Sequence, residues 1–301
     1  MDIANGTVAC MATFPARFET LPVVVGSVLD QVDALYVYVN QSDSIPACLN
    51  HPKIRAFLAK DTAGDLSANG KIYSLQFVKD SYIVLIDDDF IFPRDYVGQM
   101  KRTIDRFNGR VCVGVHGSIF APGARWYFER STVYTWRVGL SEHKLVQMLG
   151  SGCLAFHQSA LDVQFSDFMP HVMVDLTMAI KARRLGLPML AVKRKPQWIY
   201  YVGHKGLYQG FIRELTWHTR AMRQHHPWSA EIYLELVRQF LLKEFGNCDL
   251  AVTSRLEFDR EVAHALTSGT LPLRSWGRTV GALQRRNESL KVISGVAKAA
   301  G

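Results

Sequence analysis

The sequence predicts an α/β protein, built on a mostly parallel sheet with helices on both faces. Two observations carry this. Short runs that are apolar throughout recur along the first half of the 301-residue chain, and polar stretches of helical character separate them. One such run, "YIVLI", ends abruptly in three carboxylates, Asp87, Asp88 and Asp89. Strands without a polar face belong to sheets buried on both sides, and crossover helices join them.

The elements follow in order. "TVACMA" (7–12) is the first strand, and a helix around 19–31 follows it. "ALYVYVN" (34–40), rich in Val and Tyr, is the second strand. "KIYSLQFVK" (71–79) predicts a helix leading into the strand at 82–86, and "RVCVGVHG" (110–117) continues the sheet. "LGSGCLAF" (149–156) is a glycine-containing loop and strand. The stretch 171–195 predicts a helix stopped by Gly186, with Lys181, Arg183 and Arg184 in its last turns, and a strand after Pro188. Cations near a helix C-terminus and glycine just past it are the usual stop signals. From about Gly206 the chain turns helical and basic, and 229–246 lies between an N-cap candidate, Ser229, and Gly246. The expected division is a domain at 1–205 and a helical basic region at 206–301.

Composition narrows the class. With 48% hydrophobic and 21% charged residues the chain can bury a sizeable core. No run of about 18 apolar residues exists to span a membrane, and the first residues lack a secretory-signal pattern, so a cytoplasmic protein is expected. Five cysteines without CxxC spacing exclude a zinc ribbon or disulfide framework. The net charge of +8 suits an anionic partner. No nucleic-acid motif accompanies it, so nucleic acid is not expected.

Ligand sites in open α/β sheets lie beyond the carboxyl ends of the strands, where Asp87, Asp88 and Asp89 fall. Adjacent carboxylates raise one another's pKa unless a cation neutralises them. Oxygen ligands of this kind suit Mg²⁺ or Mn²⁺ bridging to substrate phosphates. A solvated acidic loop is the plain alternative.

"LIDDDFIFPRDYV" resembles the DXD element of GT-A glycosyltransferases, especially the inverting, family-two-like enzymes that build bacterial surface polysaccharides. Three further segments fall in that family's order. "ACMATFPARFETLPVVVGSVLDQVDALYVYVN" is similar to its opening strand, loop and helix. "GDLSANGKIYSLQ" (64–76) is similar to the segment ahead of the DXD strand. "MVDLTMAIKARRLGLPMLAVKR" resembles the acceptor-side helix that presents the catalytic carboxylate. The likeness covers roughly residues 7–205. It implies the Rossmann-like GT-A fold and transfer of a sugar from a nucleotide diphosphate donor, UDP-sugar by default, to a hydroxyl of a bacterial surface glycan or lipid-linked glycan. Mn²⁺ or Mg²⁺ would be the cofactor.

The resemblance also implies roles. Asp89, with Asp87, would contact the metal, and Asp87 would also face ribose or sugar, supported by Asp88. His204 stands where many such enzymes place a late metal ligand, with Tyr200, Tyr201 and Lys205 beside it for the pyrophosphate. Thr13, Pro15 and Arg17 follow the first strand, where the nucleotide is held. Asp65 and Lys71 match the donor-side segment, Lys71 as a phosphate contact. Asp175 is the candidate catalytic base, His171 its substitute, and Ser151 and Gly152 border the acceptor sugar. The pattern is departed from in two places: Asn40 and Gln41 stand where an acidic residue often follows the second strand, and Val174 precedes Asp175 where relatives carry an acidic pair.

The tail adds a basic, aromatic stretch with Arg213, His218, Arg220, Arg223, His225 and His226, a candidate docking face for an acidic glycan. Arg274, Arg278, Arg285, Arg286 and Lys291 near the end suit peripheral contact with an anionic membrane surface. Rival readings are a nucleotidyltransferase, disfavoured because "MATFPAR" has no glycine for a phosphate loop; a phosphatase, which would want its aspartates after an early strand; and a non-catalytic nucleotide-sugar or glycan-binding protein on the same fold.

Overall fold

The apolar runs become the middle of an eight-stranded sheet in a computed structural model that describes residues 3–121, 123–168, 173–202, 215–226 and 228. β1 (Ile3–Ala4) and β2 (Thr7–Thr13) are followed by α1 (Leu21–Val28), β3 (Ala34–Val39) and β4 (Ile54–Leu58). A one-turn helix, α2 (Gly70–Tyr73), and β5 (Val78–Lys79) lead to β6 (Tyr82–Ile86), β7 (Phe90–Ile91) and α3 (Tyr96–Arg106). Then come β8 (Cys112–Gly114), β9 (Gly117–Phe120), β10 (Arg130–Tyr134), β11 (Lys144–Leu145), β12 (Met148–Leu149) and β13 (Cys153–His157). The last described elements are α4 (Val174–Arg184), β14 (Met189–Ala191), β15 (Tyr200–Tyr201) and α5 (Leu215–Gln224).

The central sheet runs β11-β14-β8-β13-β6-β2-β3-β4. β4, β3, β2 and β6 are mutually parallel, while β13 lies antiparallel to both β6 and β8. The expected mostly parallel α/β sheet is therefore present, with β13 and β11 reversed. β3 is buried along its whole length, which explains why no alternation shows in its sequence. α3 buries Tyr96, Val97, Met100 and Ile104 and turns Arg102 and Arg106 outward, a one-sided pattern of helical period.

From β2 the chain builds β3 and β4 on one side and later places β6 on the other, with Met11 opposite Ile86. A crevice forms at such a switch point beyond the carboxyl ends of the strands. The loop after β2 and the three carboxylates after β6 open into it together.

Two expected elements differ. The helix over 71–79 is only one α turn and a 3₁₀ turn, because Val78 and Lys79 are drawn into pairing with β1. The strand over 110–117 breaks after Gly114, and β9 joins β10 and β12 in a separate three-stranded sheet. The α4 stop is as expected. Gly186 has φ 65°, its N–H donates to Arg183, and the Leu187 N–H reaches back to Ala182.

Cys10, Cys112 and Cys153 are buried and Cys48 half-buried, all unpaired, whereas Cys248 lies outside the described residues. No described helix is long and apolar enough to cross a membrane. The predicted helix at 229–246 and the terminal basic segment also lie outside them. The part of the basic region that is described is packed on the main body: Gln147 donates to the Trp228 carbonyl at 3.0 Å and the Trp228 ring lies 5.1 Å from Phe120.

Candidate active site

The crevice is a cleft of about 560 Å³. Of the residues singled out from sequence, Thr13, Arg17, Asp65, Lys71, Asp87, Asp88, Asp89, Ser151, Gly152, Asp175 and Tyr201 all line it. Pro15 does not. It is exposed at the start of the 3₁₀ turn Pro15–Arg17, where its fixed φ shapes the loop that turns Arg17 inward. Tyr200 is also outside the cleft and exposed. His171, His204 and Lys205 lie outside the described residues.

Two buried cations answer the three carboxylates. The Arg17 guanidinium places Nη2 3.1 Å from Asp89 and Nε 3.7 Å from Asp88. The Lys71 ammonium donates to Asp87. Arg17 and Lys71 are almost fully buried, at 4% and 1% exposure, so both are committed to the site and are not surface charges. Lys71 reaches it because α2 lies hard on β3: a Cβ on Gly70 would sit 2.6 Å from the Tyr38 ring. Burial alone would depress the Lys71 pKa, but Asp87, with Asp175 and Asp88, holds it above its ordinary value.

The balance still leaves the carboxylates short of positive charge. Burial pushes the Asp88 carboxyl up to about 6; Asp87 adds to the rise, while the Thr13 hydroxyl, Arg17 and Lys71 oppose it. Burial and Asp87 push Asp89 up to about 7 against Arg17. Asp88 Oδ2 and Asp89 Oδ1 are buried without a hydrogen-bond donor, and Arg17 Nε and Nη1 without an acceptor. Unmet acceptors beside unmet donors fit a cation and an anion arriving together, such as a divalent ion and a diphosphate. Among the described residues no three His, Cys, Asp or Glu side chains form a ready-made metal cage. An ion here would rest on Asp89 and a neighbouring carboxylate, with phosphate oxygens completing its shell.

Both carboxyls hold protons more tightly in the folded chain than in the unfolded one, where carboxylates titrate near 3.9. Their contribution to stability is therefore complete below about pH 4 and is lost progressively as pH rises, until it is gone above the folded values of about 6 and about 7. A divalent ion held by these carboxylates would compete with the same protons. Its affinity, measured in the presence of UDP, would then rise about tenfold or more between about pH 5.5 and about 7.5, read by calorimetry. A flat profile would mean that these carboxylates do not receive the ion.

Across the cleft, Asp175 sits in the first turn of α4, and its Oδ1 accepts the Ser151 backbone N–H at 2.9 Å. This bond pins the carboxylate to the loop before β13. The same loop meets Asp87: the Asp87 N–H donates to the Gly152 carbonyl at 3.1 Å. A Cβ on Gly152 would lie 2.1 Å from Asp87 Oδ2, closer than atoms can approach. Gly152→Ala is expected to swing Asp87 off Lys71; if the cleft holds a metal and nucleotide, their affinity would fall by about tenfold, with a much smaller effect on urea stability. Unchanged affinity would remove Asp87 from the binding set.

The departure after β3 has a structural explanation. Asn40 is buried; its amide donates to Ser67 O at 3.1 Å, and its Oδ1 accepts Leu66 N–H at 3.0 Å, so it ties loops together. The acid that lines the cleft beside Asn40 and Gln41 is Asp65, held by Gln41 Nε2 at 2.8 Å.

Several lining residues were not foreseen. Phe14, His116, Tyr127, Phe128 and Trp136 all come from loops: after β2, between β8 and β9, and on either side of β10. Phe90, Trp136 and Tyr201 form a cluster with centroids 5.5–5.8 Å apart, offering ring surface beside the carboxylates. His116 is held below its ordinary pKa by burial, against the pull of Asp175, so its imidazole is neutral at neutral pH. The only sequence signal for these was the density of aromatics over 126–136, which has no motif spacing.

No protein-family model and no curated protein matches the chain. Among solved structures, it is similar to residues 1–349 of S. aureus TarS at 9% identity, over 79% of this chain and 71% of that one, with a TM-score of 0.46. It is also similar to the same TarS fragment in complex with UDP-GlcNAc, at 11% identity over 81% and 74%, with a TM-score of 0.49.

Proposed function

We propose that the chain is a glycosyltransferase that takes a sugar from a nucleotide diphosphate donor with the help of Mn²⁺ or Mg²⁺ and passes it, with inversion, to a hydroxyl of a surface glycan. The observation that carries this reading is one cleft, at the switch point of the sheet, with two unlike halves. One half offers unpaired carboxylate oxygens beside unpaired guanidinium N–H groups, suited to a metal diphosphate. The other offers a single oriented carboxylate, Asp175.

The divalent ion, when bound, would neutralise charge developing on the leaving diphosphate. Arg17 is placed to donate its free Nε and Nη1 to phosphate oxygens, for which its planar fork is suited. Lys71 keeps Asp87 in place. Asp175 accepts the proton of the attacking hydroxyl, and Ser151 N–H holds it at a fixed angle while it does so. The ring surfaces of Phe90, Trp136 and Tyr201 shelter the reacting sugar from water.

Calorimetric titration of UDP, GDP, ADP and CMP, each with and without Mn²⁺, tests the reading. Micromolar binding of one nucleotide diphosphate that requires the metal is the expected result, with UDP the first to try. Failure of all four with metal present would sink the transferase reading and favour a binding protein on this fold.

A further inference from the structure

A second concavity, of about 870 Å³, lies outside the cleft, between α3 and the segment after β14. Its charge is one-sided. Arg102 and Arg106 stand one turn apart on the outer face of α3, and Lys193 and Lys195 project from alternate positions opposite. All four are exposed, and none has an ion-pair partner among the described residues. Asp95, the acidic residue of the groove, accepts the indole N–H of Trp198 at 3.2 Å.

The walls are fixed. Gln99 donates to the Lys193 carbonyl, and the Lys193 N–H donates to His143 Nδ1 at 3.1 Å, so this backbone is held from both sides. Arg194 between the two lysines turns inward and donates to Val192 O and Thr135 O. Burial, with Arg106 and Lys193, pushes His143 down to about 4, so this imidazole adds no charge of its own to the groove at neutral pH.

The groove backs onto the cleft through shared segments. Leu140 and Arg194 exchange backbone hydrogen bonds of 2.8 and 2.9 Å, and Gln197 N–H donates to Arg137 O. Trp136 and Tyr201, on the same two segments, line the cleft.

We propose that this groove binds an extended acidic glycan, through phosphate or carboxylate groups spaced along it. Calling that glycan the acceptor rests on the transferase reading; the binding itself does not. Two features select this occupant. Among the described residues, none of the exposed large hydrophobic side chains lines the groove, so it offers no apolar side chain to insert into a lipid surface. Among the described residues its rings, Trp198 and His143, are 5% and 6% exposed, so bases of a single-stranded nucleic acid have no stacking platform.

The test is binding of the full chain to labelled dextran phosphate, carboxymethyl dextran and plain dextran of equal length, at low salt. At least one anionic polymer is expected to bind and plain dextran not. The double variants Arg102→Glu with Arg106→Glu, and Lys193→Glu with Lys195→Glu, are each expected to lose about tenfold in affinity. The charge-matched control Lys60→Glu with Lys79→Glu, on other exposed positions, should lose less than about twofold. Equal losses in control and groove variants would reduce the effect to net charge and overturn the proposal, as would undiminished binding by the groove variants. Tighter binding of phosphatidylglycerol vesicles or single-stranded DNA, lost in the groove variants, would replace the occupant. UDP affinity in the same samples reads the donor site separately: polymer binding without nucleotide binding strikes the transferase reading alone, and the reverse strikes the groove alone.

Discussion

Asp175→Asn is expected to lower sugar transfer by about 10²–10⁴-fold, the usual contribution of a positioned general base, while leaving nucleotide affinity within about twofold. The two effects separate because of what Asp175 touches. Its Oδ1 accepts the Ser151 N–H, and an asparagine carbonyl can accept the same bond, so the loop before β13 keeps its place. The amide cannot take a proton from the incoming hydroxyl. Lys71 senses Asp175, but Asp87 is the stronger partner that keeps it charged, so the donor half is expected to survive the change. Initial transfer rates and UDP titrations on one preparation check both parts. Equal transfer by the variant would remove Asp175 from the base role, and His116→Gln would then be the next variant to assay. His116 also lines the cleft, and its imidazole can accept a proton because burial keeps it neutral.

What could be read from sequence follows a physical divide. β2, β3 and β6 were legible because a strand buried on both faces must be apolar throughout, and a local window shows this. The carboxylates were legible for the same reason, since charge at the end of such a strand has to lie at the rim of the sheet. Gly186 marked the end of α4 because the left-handed φ it adopts suits glycine best. The Arg17 to Asp89 contact, by contrast, joins residues 72 positions apart, and Asp175 reaches Ser151 across 24. No local pattern encodes either. The short α2 was misread as a longer helix because its continuation is decided by β1, a two-residue strand nearly 75 residues earlier in the chain. Phe90, Trp136 and Tyr201 are unremarkable singly and become a surface only when β7, β15 and the loop after β10 meet.

Arg17→Met is expected to cost about 3–5 kcal/mol of stability at pH 8, the range for removing one partner of a buried ion pair. Methionine fills much of the same space, so the loss isolates charge from packing. Arg17 is 4% exposed, and the carboxylates it faces have side-chain exposures of 10% and 16%, so water cannot replace the guanidinium. The penalty has a defined pH dependence. With burial already holding Asp88 at about 6 and Asp89 at about 7 in the presence of Arg17, its removal raises both further. At pH 8 the variant must either bury two bare carboxylates or protonate them against the solvent. At about pH 5 both carboxyls are largely protonated in either protein, so the gap in urea midpoint should shrink to a small fraction of its pH 8 value. Mn²⁺ should then stabilise Arg17→Met more than the parent chain at pH 8, because the ion supplies the positive charge that the variant lacks. If the variant matches the parent at pH 8, the carboxylates are solvated or neutral there, and Arg17 is not their counter-ion. If the gap opens with pH but Mn²⁺ does not narrow it, the carboxylates are paired as described and do not receive the ion.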